Sequence, residues 1–344
     1  KQDDVQWDCG TPGIGVLVSD SLMFERGNPS PSDPNMSHIY GMAMPLLMRG
    51  MPVTPVQMEN AAIPNYLDPF RILFLTYEGM KPLSPEPHAA LNDWVRRGGV
   101  LVVCDDDADP YNRVHEWWNS KGLNYRTPRQ DLFEKLGIAQ NINPSDQPYS
   151  LARVGDGAVI WLRENPADTA GSADGDKQFI QAAKKAAELD KIAWVEKNYL
   201  MLRRGPYVIA AGLDDSIGGE PRVLEGHLIN LFDSTLSVQS RVTITPGSRY
   251  YLLDLDRVKS ATPCVLASAC RVNVLKQDGR KFSAYVEGVT NTPAVILIKT
   301  EKPPRHLTLG NKRLQTFDYS ADNQLLKIDF LNEARQRKLT VEFQ

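Results

Sequence analysis

Two nearly uninterrupted apolar runs, residues 71–77 and 100–104, constrain the fold of this chain more than any other feature. Each run has the length of one strand, and a strand that is apolar on both sides must be covered on both faces, as in a parallel sheet. Between the runs, Leu91, Trp94 and Val95 share one face of a predicted helix. The two runs and this helix are therefore predicted to form a βαβ unit with a right-handed crossover.

The alternation of strands and helices continues on both sides of this unit. The helix that precedes it contains Pro45, which implies a kink or a late start, and the helix inside it is predicted to be capped by Ser84. Such alternation is typical of an α/β domain with helices on both faces of a parallel sheet. Further strands are predicted at residues 13–18, 53–57, 158–162 and 207–211, further helices at 36–49, 111–121, 129–136 and 176–190, and exposed turns at 167–175.

The last third of the chain has a different pattern. Short alternating segments are separated by pairs such as Asp278-Gly279 and Asp322-Asn323, which tolerate tight-turn dihedrals. No strong helical period returns in this region, so the pattern predicts an antiparallel β-sandwich. We therefore expect two domains, an α/β domain over residues 1–228 and a β-sandwich over residues 229–344.

Composition and charge exclude several classes of protein. With 42% apolar and 24% charged residues, the 344-residue chain is globular, and no apolar run reaches the roughly 18 residues of a membrane-spanning helix. Residues 229–344 carry 17 Lys and Arg against 11 Asp and Glu, whereas the remainder carries 22 against 31. The basic residues are scattered and form no stripe, so we expect no nucleic-acid partner.

Acidic and aromatic side chains are predicted to gather where the parallel strands end. Ligands of open α/β sheets bind beyond the carboxyl ends of the strands, and acids follow the predicted strands there. Aromatic residues beside these acids can stack on sugar rings or pack in the core. The candidate ligand-binding residues are Asp20, Tyr77, Glu78, Asp105, Tyr111 and Trp117.

Asp105, Asp107 and Asp109 alternate in one loop and are the candidate metal ligands. Alternate carboxylates in an irregular loop can face one centre, as in a calcium loop, although the glycine and the distal glutamate of an EF-hand are missing. The alternative is an acidic turn that caps a helix beginning near Pro110. Both interpretations stay open at this point, and calcium is the one cofactor that the pattern indicates.

No complete catalytic constellation is found in the sequence. Cys104 ends a predicted strand, roughly where an amidotransferase nucleophile would lie, but Val103 precedes it and aspartates follow it. Their charges would raise the thiol pKa and leave the thiol unactivated. The histidines lie in no recognisable partner motif, and neither a zinc-type spacing nor a phosphate loop is found. Cys264 and Cys270 can form a disulfide only if a bend brings their Cα atoms within about 7 Å.

Several segments carry a family likeness. The order of strands and helices over residues 13–109, with "LTYEGMKPLSP" at 75–85 and "WVRRGGVLVV" at 94–103, resembles the class I glutamine amidotransferase-like domain of family 42 glycoside hydrolases. Residues 203–216 and 228–233 are similar to the junction before a C-terminal β-sandwich in glycosidase-like secreted proteins. The resemblance implies a flavodoxin-like, noncatalytic domain that serves oligomerisation. It carries over no catalytic residue, because the catalytic barrel and the His-x-Glu dyad have no counterparts here.

Two functions are expected from these observations. The first is a noncatalytic accessory or assembly protein associated with carbohydrate processing, which binds a glycan or forms a homo-oligomer, either as part of a larger glycoside hydrolase or beside one. The second is a hydrolase that acts on glycans through the acids at the strand ends, with or without a bound divalent ion. The resemblance and the first residue, Lys1, imply a secreted or periplasmic protein.

Overall fold

The fold is taken from a computed structural model, which describes residues 5–23, 37–140, 142, 148–171, 175–214, 216–259 and 263–344. The first residue of the helix predicted at 36–49 and part of the turns predicted at 167–175 lie outside these ranges. The strands of the first two thirds are β1 (Val5–Asp8), β2 (Ile14–Val18), β3 (Val53–Gln57), β4 (Ile72–Leu75), β5 (Val100–Cys104), β6 (Tyr149–Val154), β7 (Gly157–Leu162), β8 (Tyr199–Arg204), β9 (Tyr207–Gly212), β10 (Arg222–Asn230), β11 (Val238–Ile244) and β12 (Arg249–Asp254).

In the described part of the chain, the α-helices all precede β8, and the segment after β12 contains nine further strands. The helices are α1 (Ser37–Leu47), α2 (Glu86–Arg96), α3 (Pro128–Leu136), α4 (Pro166–Gly171) and α5 (Lys177–Leu189). The remaining strands are β13 (Cys264–Ser268), β14 (Arg271–Asp278), β15 (Lys281–Glu287), β16 (Pro293–Lys299), β17 (Pro304–Leu309), β18 (Lys312–Arg313), β19 (Phe317–Ser320), β20 (Leu325–Leu331) and β21 (Arg337–Phe343).

A mostly parallel sheet forms the centre of the α/β unit, in the order β3-β2-β4-β5-β7-β6 with β6 antiparallel. β4, β5 and β7 are buried along their whole length, as their apolar sequences predict. The chain moves in one direction from β2 to β3 and in the other from β4 to β5, so right-handed crossovers place α1 and α2 on opposite faces. α1 packs against α4 and α5, whereas α2 packs against α3.

Three antiparallel sheets make up the rest of the described chain. One sheet has the order β1-β8-β9-β12-β10-β11, and its buried face carries Val208, Leu228 and Leu252. The other two, β13-β16-β20-β19 and β14-β15-β21-β17-β18, enclose an apolar core that includes Phe282 and Ile296, as in a sandwich. The chain therefore has a mixed α/β architecture with a parallel-containing sheet and several antiparallel sheets.

The division predicted between residues 228 and 229 remains a proposal. Both residues lie in β10, a strand that pairs with β11 and β12 in the six-stranded antiparallel sheet. That sheet also takes in β1, which precedes the α/β unit in the sequence.

Three local predictions differ from the structure. Residues 111–121 form two short 3₁₀ turns, Pro110–Arg113 and Trp117–Asn119, separated by extended backbone at Val114. The predicted cap Ser84 is replaced by Pro85, which makes no side-chain cap hydrogen bond. Residues predicted as exposed turns contain α4, whose polar and small residues gave no helical period but which packs against α1.

Two further results bear on the sequence predictions. Cys264 and Cys270 do not form a disulfide. Among the described residues, no helix is long and apolar enough to cross a bilayer.

The contact between α1 and α4 gives a stability prediction at Gly41. A Cβ atom there would lie 1.7 Å from the carbonyl oxygen of Pro166, so Gly41→Ala forces the two helices apart. We expect a loss of about 1 to 3 kcal/mol in the free energy of unfolding, the usual cost of overpacking. Gly218→Ala is the matched control, because nothing lies within 4 Å of a Cβ at that position. Urea unfolding of both variants measures the difference, and equal midpoints would contradict the prediction.

Candidate functional site

Three of the predicted site residues meet at the carboxyl edge of the parallel sheet. Tyr77 and Glu78 follow β4, and Asp105 follows the neighbouring strand β5. The backbone N–H of Tyr77 donates to Oδ2 of Asp105 at 3.0 Å, which joins the two strand ends. Asp20 lies apart from them, exposed after β2, where its Oδ1 accepts a hydrogen bond of 2.8 Å from Nε2 of Gln57.

Glu78, Asp105 and Asp106 form an acidic cluster in which one carboxylate oxygen from each residue lies within 4.8 Å of the other two. Glu78 and Asp105 are only 2% and 1% exposed, and their side chains share a hydrogen bond. Burial raises the pKa of Glu78, and repulsion from Asp105 adds to this effect. Burial and repulsion from Asp107 likewise raise the pKa of Asp105. The pair therefore favours one shared proton.

Asp107 points to a different partner. Both of its oxygens accept from Arg129, Oδ1 from Nε at 2.9 Å and Oδ2 from Nη2 at 2.5 Å. The guanidinium is buried between the rings of Phe133 and Trp161, at 4.6 and 4.0 Å from their centroids. This bidentate pair supplies the charge that a buried arginine requires.

Asp109 has its own cation as well. Its Oδ2 accepts from Nζ of Lys81 at 2.5 Å and from the N–H of Gly79 at 2.9 Å, while its Oδ1 accepts from the N–H of Tyr111 at 2.9 Å. Asp109 thus caps the turn that begins at Pro110, as the alternative interpretation expects. The structure does not bring the three predicted metal ligands, Asp105, Asp107 and Asp109, to one centre, because the last two face separate basic side chains.

A buried hydrogen-bonded chain runs behind the acidic cluster. The hydroxyl of Tyr77 lies 2.6 Å from Nε2 of His88, and Nδ1 of His88 lies 2.6 Å from Oδ2 of Asp131, whose Oδ1 accepts from Lys135 at 2.5 Å. Burial lowers the pKa of His88 against the opposing effect of Asp131. A neutral imidazole fits this chain when Tyr77 donates to Nε2 and Nδ1–H donates to Asp131. His88 itself has no exposed surface, so the chain ties α2 to α3 within the core.

The aromatic candidates near the acids serve packing. Trp117 is half-buried, donates from Nε1 to the carbonyl of Pro82 at 2.8 Å, and meets His88 and Trp118 edge to face. Trp118 is only 2% exposed, so one of the paired tryptophans is a core residue and the other lies at the rim. Tyr111 is half-buried and lies in the turn that Asp109 caps.

Cys104 lacks the features of a nucleophile. It is buried at the end of β5, and burial together with the charge of Glu164 raises its pKa far above the ordinary thiol value. A buried thiol that stays protonated does not act as a nucleophile, because the reactive form is the thiolate.

A second candidate site, which the sequence did not reveal, is an aromatic cleft of about 640 Å³. It lies between the six-stranded antiparallel sheet and the sandwich. The rings of Tyr207 and Tyr251 lie 5.6 Å apart, and Phe232 lies 6.1 Å from Tyr251. Phe232 is 69% exposed, so its ring is open to a ligand. The remaining lining residues are Leu231, Asp233, Ser234, Leu236, Val265, Leu266, Ala267, Ser268, Ala269, Pro293 and Val295. The sequence signals were single aromatic residues, Tyr207 in β9 and Tyr251 in β12, which come together only through strand pairing.

The sequence matches no protein-family model and none of the curated proteins compared with it. Glycoside hydrolases are among the solved structures similar to the chain. A β-galactosidase from Halorubrum lacusprofundi is 13% identical, with a TM-score of 0.40 over 70% of this chain and 39% of that one. A β-galactosidase from Bacillus circulans sp. alkalophilus is 11% identical, with a TM-score of 0.39 over 71% of this chain and 42% of that one.

A GH42 exo-carrageenase from Bacteroides ovatus is 8% identical, with a TM-score of 0.27 over 96% of this chain and 29% of that one. The chain thus spans less than half of the length of each of these three enzymes. At TM-scores below 0.5, none of these likenesses assigns a function to the chain.

The ion pair between Asp107 and Arg129 predicts that removing the charge of Asp107 strongly lowers the stability of the fold. Asp107→Asn leaves the buried guanidinium of Arg129 without a counter-charge, so we expect a loss of about 3 kcal/mol in the free energy of unfolding. Asp20→Asn, at an exposed aspartate of the same edge, is the control and should stay within about 0.5 kcal/mol of the wild type. Denaturant titration gives both values, and a loss below about 1 kcal/mol for Asp107→Asn would refute the assignment.

The lowered pKa of His88 predicts a loss of stability in acid. A histidine whose folded pKa is depressed binds fewer protons in the folded state than in the unfolded state once the pH falls below about 6.5. Its contribution is present above that pH and is lost as the pH falls toward the folded pKa, by up to about 1.4 kcal/mol per pH unit. His88→Gln removes this titration, so its profile of unfolding free energy between pH 7 and pH 5 should be flatter than that of the wild type. Parallel profiles would show that His88 is not neutral in the fold.

Proposed function

We propose that this chain is a noncatalytic accessory protein associated with carbohydrate processing and that it binds a glycan in the aromatic cleft. The observation that carries the proposal is the cleft, where an exposed ring, Phe232, lies beside the tilted pair of Tyr207 and Tyr251. A pyranose presents a face of C–H groups to an aromatic ring and hydroxyls at its rim. Binding therefore needs both a ring and polar groups at its border.

Polar groups are present at the border of the rings. Asp233 follows Phe232 directly, and the backbone N–H of Thr235 lowers the pKa of its carboxyl group. It is therefore an ionised acceptor for sugar hydroxyls. Ser234 and Ser268 line the same cleft and contribute hydroxyl groups to its lining. This combination of apolar faces with a few polar groups is the usual composition of a small-ligand site.

The arrangement of acids at the sheet edge supports a noncatalytic role. A glycosidase needs two carboxyl groups about 5 to 10 Å apart with the sugar between them. Glu78 and Asp105 instead share a hydrogen bond and are almost wholly buried, and Asp107 and Asp109 are held in ion pairs. A sugar cannot enter between carboxyl groups that are bonded to each other. The alternative hydrolase thus lacks an accessible acid and base pair among these residues.

In this proposal the α/β unit is an amidotransferase-like domain that carries out no chemistry. The enclosed thiol of Cys104 agrees with that role. Its proposed contribution is assembly, either with another copy of the chain or with further domains. An apolar row on the face of the six-stranded antiparallel sheet that carries Tyr251 favours such contacts, because Trp7 and Ile209 are each 50% exposed and both are in register with Leu202.

The glycan proposal is tested by binding and turnover on the same chain. We expect a thermal-shift screen with mono- and oligosaccharides to identify a ligand that raises the melting temperature, since a ligand of the native state stabilises by RT ln(1 + [L]/Kd). Phe232→Ala and Tyr251→Ala should each weaken that ligand at least about ten-fold by calorimetry, equivalent to about 1.4 kcal/mol. Tyr285→Ala, an exposed tyrosine outside the cleft, is the matched control and should bind as the wild type does.

Three outcomes would count against the proposal. If no saccharide binds, or if the cleft variants bind like Tyr285→Ala, the aromatic cleft is not a glycan site. If the chain cleaves nitrophenyl glycosides and Glu78→Gln abolishes the cleavage, the noncatalytic role is wrong. Light scattering of the same samples reports separately on assembly, because a homo-oligomer gives a mass that rises with protein concentration.

A further inference from the structure

At the carboxyl edge of the parallel sheet, basic side chains form ion pairs with some of the acids and not with others. Arg129 pairs with Asp107, Lys81 with Asp109, and Lys135 with Asp131. Within the described ranges, no lysine, arginine or histidine forms an ion pair with any member of the acidic cluster of Glu78, Asp105 and Asp106. The charge of Lys81 acts against the raised pKa of Glu78 and of Asp105, but its ammonium is bonded to the carbonyl of Tyr77 and to Asp109.

An unpartnered oxygen in the cluster points to a ligand. Oε1 of Glu78 is inaccessible to solvent and has no hydrogen-bond partner, although the residue is only 2% exposed. Leaving such an oxygen unsatisfied costs about 1 to 3 kcal/mol, so buried carboxylate oxygens normally have a partner. The other two members accept hydrogen bonds from backbone N–H groups. Asp105 accepts from Asp107 with Oδ1 and from Tyr77 with Oδ2, and Asp106 accepts from Ala108 with Oδ1, so each of these oxygens retains a lone pair.

From these observations we propose that Glu78, Asp105 and Asp106 bind one divalent cation with hard, calcium-like chemistry. Carboxylate oxygens are the ligands that Ca²⁺ and Mg²⁺ prefer. Oxygens on opposite sides of Ca²⁺ lie about 4.6 to 5.2 Å apart, and those on opposite sides of Mg²⁺ about 4.0 to 4.2 Å apart. Three oxygens that all lie within 4.8 Å of one another are close enough to bind one Ca²⁺ ion together. Asp106, which is exposed, leaves one side of the ion open to water.

The bound ion would act on the loops that follow β4 and β5. Glu78 belongs to the first loop, and Asp105 and Asp106 belong to the second. An ion between them would displace the proton that Glu78 and Asp105 share, offset two of the three negative charges and give Oε1 of Glu78 a partner, so it would fix both loops at once. This site is independent of the aromatic cleft, because the two sites share no residue.

Terbium luminescence on the full chain tests the proposal, with Ca²⁺ as the competing ion. Trp161 donates from Nε1 to the carbonyl of Asp105 at 3.0 Å, so excitation of this indole should sensitise a Tb³⁺ ion in the cluster. We expect Ca²⁺ to displace the signal and Mg²⁺ to do so at least ten-fold less effectively. Glu78→Gln, which keeps the shape of the side chain, should weaken Ca²⁺ at least ten-fold, and Asp20→Asn should leave it unchanged.

Two results would overturn the proposal. One is the lack of a Ca²⁺-displaceable signal from the folded wild-type chain, which would mean that Glu78 and Asp105 are held together by a shared proton alone. The other is unchanged Ca²⁺ affinity in Glu78→Gln. If Glu78→Gln does not fold, as circular dichroism will show, the exposed member of the cluster provides the test: Asp106→Asn must lower Ca²⁺ affinity at least ten-fold. These outcomes are unaffected by whether a glycan binds.

Discussion

A carboxylate withdrawn from water must receive a positive charge, a proton or several hydrogen bonds, and this requirement organises the carboxyl edge of the parallel sheet. Parallel strands bring all their ends to one side, so the acids that follow β4 and β5 are forced together. Lys81 joins the two loops through Asp109 and the carbonyl of Tyr77. Arg129 anchors α3 to the second loop through Asp107, and Asp131 anchors α3 to α2 through His88. Most of these buried acids are thereby paired with basic side chains, and the pairs hold the loops and helices of this edge together.

The parallel sheet could be predicted from the sequence because its signals are local. Apolar runs as short as residues 72–75 and 100–104 favour strands that are buried on both faces. These two runs form the adjacent buried strands β4 and β5. Predictions failed where side chains compete with the backbone. Near Glu116 and Asn119 each side chain bonds to the backbone of the other, which breaks the predicted helix into short turns.

The candidate sites show the same limit. The gathering of Glu78 and Asp105 follows from strand order, and it was predicted. The partners of Asp107 and Asp109 could not be predicted, because Arg129 lies 22 residues further along the chain from Asp107 and Lys81 lies in another loop. The aromatic cleft depends on the register between β9 and β12 and on the approach of the sandwich, neither of which the alternation of residues specifies.

The position of β1 has a consequence for how the molecule can be divided. β1 is the edge strand of the six-stranded sheet, with Asp8 opposite Met201 of β8, and the hydroxyl of Tyr199 donates to Asp8 at 2.8 Å. The chain therefore leaves this sheet after β1, forms the whole α/β unit, and returns to the sheet at β8. The two ends of the α/β unit are neighbours there. In topological terms the unit is an insertion into a hairpin-like pair of strands. A single cut cannot separate the two units, whereas a short linker between β1 and β8 could replace one of them.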